Sequence, residues 1–235
     1  MKLIKACFAL AAFAAIFVIP SLASATSPAL TETTATGENH ILATGNKIIG
    51  TNVEHSGTAV TTILKSNLGN IECLSATVTG TLTRNEGGVI EGEAETAEVR
   101  GRHTEPSSIH CKGGFGGNTT VTPSHSSGLG IPWCVKSTPE DKFEVKGGVC
   151  GGQVNLKFAL HTATLKTCVY ERAPAVIGTY TTHPADAILT ISGGENASFT
   201  KVSGSIFCPN KGELFMAFTL STDNNGNGGA AVNIK

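Results

Sequence analysis

The sequence predicts an all-β protein: an antiparallel β-sandwich, or a barrel-like or jelly-roll variant, stabilised by disulfides. No significant helix is expected outside an N-terminal leader. Three observations predict this. Short stretches of alternating and β-branched residues follow one another, punctuated by turn residues. The 235 residues include 28 Gly, and only 15% are charged, which suits strands joined by tight turns. All the cysteines but Cys7 follow the leader, and their even number fits an oxidising compartment.

The chain opens "MKLIKACFALAAFAAIFVIPSLASA". Lys2 and Lys5 form a positive start, Ala6–Ile19 is apolar, and Ala23-Ser24-Ala25 supplies the small residues of a cleavage site. The apolar run of about 14 residues is short of the roughly 20 that a spanning helix needs. Residues 1–25 therefore read as a signal peptide cut near Ala25, and the protein is expected to be secreted, extracellular or periplasmic, with no membrane span in its mature form. Residues 26–38 read as a flexible leader, and residues 39–235 as one disulfide-linked all-β domain.

Strand signals then come in order. "IECLSATVTGTLT" puts Leu74, Ala76, Val78 and Leu82 on one face, and "GGVIEGEAETAEV" starts at a Gly-Gly turn and alternates. "KFEVKGGV", "QVNLKFALHTATLKTCVY", "AVIGTYTT", "AILTIS", "ASFTKVSGSIFC", "ELFMAFTL" and "AAVNIK" continue the series. "RNEGG", "STPEDK", "SGGEN" and "CPNKG" separate them as turns. Cys73, Cys111, Cys134, Cys150, Cys168 and Cys208 are expected to form disulfides. Cys168–Cys208 is the best-supported bridge, and neighbour pairing gives Cys73–Cys111 and Cys134–Cys150. A cut near residues 137–141 would leave three cysteines on each side, so at least one bridge must cross it. That favours one domain over two independent halves. No Cys-x-x-Cys spacing occurs, so no metal site and no cofactor is expected.

Without Lys2 and Lys5 the chain has a small acidic excess, which offers nothing to nucleic acid. Glu91, Glu93 and Glu95 alternate on one strand face, at a spacing two glycosidase carboxylates could use. The run "EGEAETAE" loosely resembles the Glu-x-Asp-x-x-Glu strand of sandwich-fold glucanases, with Glu93 where that family has Asp. The plainer reading is a solvated face that discourages edge pairing. "DNNGNGG" at Asp223–Gly229 imitates the start of a calcium loop, but its twelfth position is Ile234 instead of Glu. His103, His110 and His125 lie with Glu105 in one loop-rich region without a metal-specifying spacing. Phe115 sits between paired glycines as a contact candidate. No Gly-x-Ser-x-Gly occurs, and no catalytic residue is assigned.

Trp133, the only tryptophan, stands in "GLGIPWCV" beside Cys134. Alternation sends the two side chains to opposite faces. Trp133 is expected to bury apolar area on one face, with its indole N–H seeking a partner, while Cys134 staples the other face. Together with "VYERAPAVIGTYTT" and "VSGSIFCPNKGELFMAFTL", this stretch resembles a group of predicted secreted all-β proteins of soil actinobacteria. That resemblance implies fold class and export, and no activity. The step "GIPWCV" also resembles one in the secreted protein activators of alkane oxidation, which implies a role in growth on hydrophobic substrates. The leading expectation is a secreted, non-catalytic protein that binds an unspecified ligand or an envelope or matrix component. The alternatives are an exported glycoside hydrolase using residues 91–95, and an accessory protein for growth on hydrophobic substrates.

Overall fold

A computed structural model gives the architecture. It describes residues 28–33, 37–53, 61–101, 111–113, 117–122, 131–152, 154–162, 166–181, 187–224 and 227–235. The leader, His103, Glu105, His110, Phe115 and His125 lie outside the described residues.

Two short strands come first, β1 (Leu30–Thr33) and β2 (Asn39–Ile41). Strand pairs then alternate between two levels. β3 (Lys47–Asn52) is followed by β4 (Thr61–Ser66) and β5 (Gly69–Cys73), and these by β6 (Ser75–Glu86) and β7 (Val89–Arg100). β8 (Cys111–Gly113), β9 (Gly117–Thr122), β10 (Trp133–Thr138) and β11 (Lys142–Gly147) continue the alternation. So do β12 (Leu156–Thr162), β13 (Lys166–Arg172), β14 (Val176–Thr181), β15 (Ile188–Ser192) and β16 (Ser198–Gly204). The long β17 (Lys211–Asn224) and β18 (Asn227–Ile234) end the chain. Among the described residues, the one helical element is a 3-10 turn at Glu195–Ala197.

Pairing closes two rings. The upper ring runs β3-β6-β7-β10-β11-β14-β15-β17 and returns to β3. The lower ring runs β4-β5-β8-β9-β12-β13-β16-β17 and returns to β4. Both rings keep the same order, and β17 is long enough to serve in both. The protein is thus an antiparallel eight-stranded closed barrel with extra strands, most of its staves broken midway into two strands. Of the architectures the sequence allows, this is the barrel variant. Alternation and turns are common to sandwich and barrel. The β17–β3 pairing that closes the ring joins residues far apart in sequence and leaves no local mark.

Local chemistry explains the hairpins. The β6–β7 turn is Gly87-Gly88, with φ of 61° and 76°, a conformation that only glycine adopts without strain in a two-residue turn. The disulfides are Cys73–Cys111, Cys134–Cys150 and Cys168–Cys208. Cys134–Cys150 crosses the 137–141 region and ties two adjacent staves. In the chain-entropy account, loops of 16 to 40 residues each add about 3–4 kcal/mol.

The 26–38 segment is not wholly a leader. Leu30 is buried, and β1 pairs with both β18 and β2 across the upper mouth. The buried Asn85 side chain explains why so polar a segment docks. It accepts from the Leu30 N–H at 2.8 Å and donates to the carbonyls of Leu30 and Leu42 at 2.8 and 2.9 Å. Backbone bonds between Ala29 and Lys235 extend the β1–β18 seam.

Candidate functional site

Strand alternation sends every second side chain into the barrel. On β6 these are Ala76, Val78, Gly80 and Leu82, and on β7 Ile90, Gly92 and Ala94. A bulge near Glu95 then shifts the parity, so that Ala97 and Val99 face inward. β17 contributes Leu214, Met216, Phe218 and Leu220. Eight strands enclose an interior that side chains can fill or that holds one small ligand. Here the inward positions of β3, β6 and β7 carry Gly50, Ala76, Gly92, Ala94 and Ala97, which leave room, while Gly80 admits the close approach of the Glu93–Ala94 backbone. The result is an apolar cavity of about 240 Å³.

Its floor is aromatic. Phe158 stacks on Tyr170 at 5.5 Å between ring centres and meets Phe199 edge-on at 4.9 Å. The Tyr170 hydroxyl donates to the Pro209 carbonyl at 3.0 Å. Burial pushes this phenol up to about 12. The roof is Leu30 and Ile234, from the β1–β18 seam that Asn85 holds. No Lys, Arg or His lines the cavity among the described residues. Glu93 contributes to the wall, but its carboxylate accepts the Cys150 N–H at 3.0 Å, on the side where Cys134 and Cys150 are bridged.

Trp133 and Cys134 do diverge. Trp133 lines the cavity with Val135 and Ser137, while Cys134 bridges outward to Cys150. One expectation needs correction. Trp133 is half-buried, and its Nε1 is buried without a hydrogen-bond partner among the described residues. The pleat aims the indole at an apolar interior, so its N–H meets no acceptor.

The acidic strand presents its carboxylates elsewhere. Glu91 pairs with Lys136 at 2.7 Å, and Glu93 holds Cys150 as above. Glu95 pairs with Lys47 at 2.5 Å and accepts from the Thr81 hydroxyl. The hydrogen bonds from Lys47 and Thr81 hold the Glu95 carboxyl below the usual carboxylate range. Each carboxylate thus has a structural partner, and of the three residues only Glu93 borders the cavity, beside Gly92 and Ala94. Asp223, from the calcium-like run, pairs with Gly228 in the β17–β18 hairpin, and residues 225–226 lie outside the described residues.

Sequence reasoning found the wall residue Trp133 but missed the cavity. Its signal was present as glycine and alanine recurring at the inward positions of neighbouring strands. Among the described residues, no helix is long and apolar enough to cross a membrane. Compared with protein-family models, curated proteins and solved structures, the chain shows no match.

Proposed function

We propose that this protein is a secreted, non-catalytic binder of one small, uncharged apolar molecule held inside the barrel. The observation that carries the reading is the apolar cavity, roofed by Leu30 and Ile234 and floored by the rings of Phe158 and Phe199. Engineered cavities of about 150 Å³ stay dry and take up benzene, so 240 Å³ suits roughly ten carbon atoms. The wall offers no cation to a carboxylate, and burying an unpaired charge is costly, which favours neutral ligands over fatty acids. Export rests on the N-terminal leader. A role as an accessory for growth on hydrophobic substrates fits the same apolar chemistry. The hydrolase reading gains nothing comparable, because Glu91, Glu93 and Glu95 are engaged with neighbours.

Trp133 makes the test direct, as the only tryptophan and a wall residue. Its emission is followed while n-decane, naphthalene or decanoate is added. Saturable one-site changes with the neutral compounds, and affinity at least about tenfold weaker for ionised decanoate, are expected. Ala97→Phe, which fills the cavity, abolishes the response while circular dichroism stays that of the parent. Absence of saturable binding by any neutral compound would overturn the reading.

A further inference from the structure

The lower end of the barrel carries an exposed apolar patch with cations around it. Ile206 is 87% exposed and Phe207 65%, both in the turn between β16 and β17. Leu68, in the turn between β4 and β5, is 48% exposed. β4 and β17 are ring neighbours, so the two turns stand side by side at one end of the molecule. The Cys168–Cys208 bridge and the buried Pro209 fix the base of the longer turn, so its apolar tip is held outward by a rigid stem. Inside that turn Lys201 donates to the carbonyls of Ser205 and Cys208 at 3.2 and 3.3 Å. Lys65 lies over the Phe215 ring at 5.8 Å, and Lys211 begins β17. Among the described residues, none of Lys65, Lys201 and Lys211 has a carboxylate within ion-pair distance. The opposite end is different, with Glu86, Glu140 and Asp141 in its turns and Glu140 paired to Lys142. At the lower end Glu213 stands in register with Lys65, and its carboxylate accepts the Gly194 N–H at 3.0 Å.

We infer that the lower end docks on an anionic lipid surface, inserting Leu68, Ile206 and Phe207 among the headgroups while Lys65 and Lys211 face the phosphates and Lys201 braces the turn from within. Rigid apolar tips ringed by lysine are what an interface with an apolar interior and anionic headgroups accommodates. The inference stands on a different surface from the cavity. It gives a binder of apolar molecules a place at which such molecules partition.

The test uses vesicles of phosphatidylglycerol with phosphatidylcholine, against phosphatidylcholine alone, in a sedimentation assay. Parent and variants share the same N-terminus, so any contribution of the leader cancels in the ratio. The parent is expected to sediment with the anionic vesicles and to be released as salt shrinks the screening length from about 10 to about 3 Å. Leu68→Ser/Ile206→Ser/Phe207→Ser lowers binding about tenfold or more, and Lys65→Glu/Lys211→Glu removes the preference for anionic vesicles. The Trp133 titration stays that of the parent in both variants, which shows intact barrels and keeps this test separate from that of the cavity. Equal binding to both vesicle types, or unchanged binding by the serine variant, would sink the inference. So would concentration-dependent dimerisation, abolished by the same serines, in a parent that ignores vesicles. That outcome would assign the patch to a second copy of the chain.

Discussion

At the scale of single residues, the interior polar groups divide into those with partners and those without. Asn85 and Tyr170 are buried and bonded, whereas the Trp133 Nε1 is buried and unpartnered. A buried donor without a partner costs on the order of 1–3 kcal/mol, which the apolar contacts of the indole must offset. Tyr170 has a measurable consequence. Its phenol is raised from 10.0 to about 12 by burial, and Tyr180 is raised by burial and by the charge of Asp141. These are the chain's two tyrosines. A folded value above the unfolded one means that the neutral form favours the fold. The contribution is complete below about pH 10 and is lost as pH rises through about 12. Ultraviolet titration of the folded protein is expected to show Tyr170 still neutral near pH 10 and Tyr180 ionising later than a free phenol. Tyr170→Phe removes the alkaline loss due to Tyr170, together with a hydrogen bond worth about 1 kcal/mol. Ordinary ionisation of both phenols in intact protein would contradict this.

At the scale of elements, glycines on inward faces have opposite meanings in different strands. A methyl group added to Gly50 in β3 would meet Leu220 and Phe218 at 3.6–3.7 Å, ordinary contact. One added to Gly178 in β14 would strike the Phe143 ring and come within 2.6 Å of the Thr190 carbonyl oxygen. Gly50→Ala should leave stability within about 0.5 kcal/mol while shrinking the cavity and weakening binding of n-decane. Gly178→Ala should cost about 1–3 kcal/mol in urea unfolding, because the ring and backbone must move. These strands were legible in the sequence because period-two alternation survives in β6, β7, β11 and β17. The divergence of Trp133 from Cys134 followed from the same pleat. Whether Gly50 borders room or Gly178 borders a ring was not legible, since each depends on the residue its neighbouring strand sets beside it, Leu220 for Gly50 and Phe143 for Gly178.

At the scale of the whole molecule, closure creates the cavity, and closure is what a chain read locally conceals. β17 meets β3 and β4 only after nearly all the other staves have been laid down, and β1 finds β18 at the far end of the chain. The polar composition of residues 26–38 suggested a loose leader, yet Leu30 within it roofs the cavity. The roof joins the two ends of the described chain. It is a three-stranded seam of β2, β1 and β18, held over the mouth by three hydrogen bonds from Asn85. The aromatic floor, by contrast, is continuous with the packed lower ring. Entry through the roof would require the seam to open locally while the rings stay closed. Asn85→Ala strips all three side-chain bonds and leaves buried backbone groups unpaired, at an expected cost of about 2 kcal/mol or more. If access is through the roof, amide exchange in β1 and β18 rises in this variant, while β6 and β7 keep their protection. Stopped-flow Trp133 emission should then show faster uptake and release of naphthalene, each by an order of magnitude, with the affinity changed far less. Uniform loss of protection around both rings would show instead that Asn85 supports the barrel as a whole. Unchanged uptake with a loosened seam would place the route of access elsewhere in the wall.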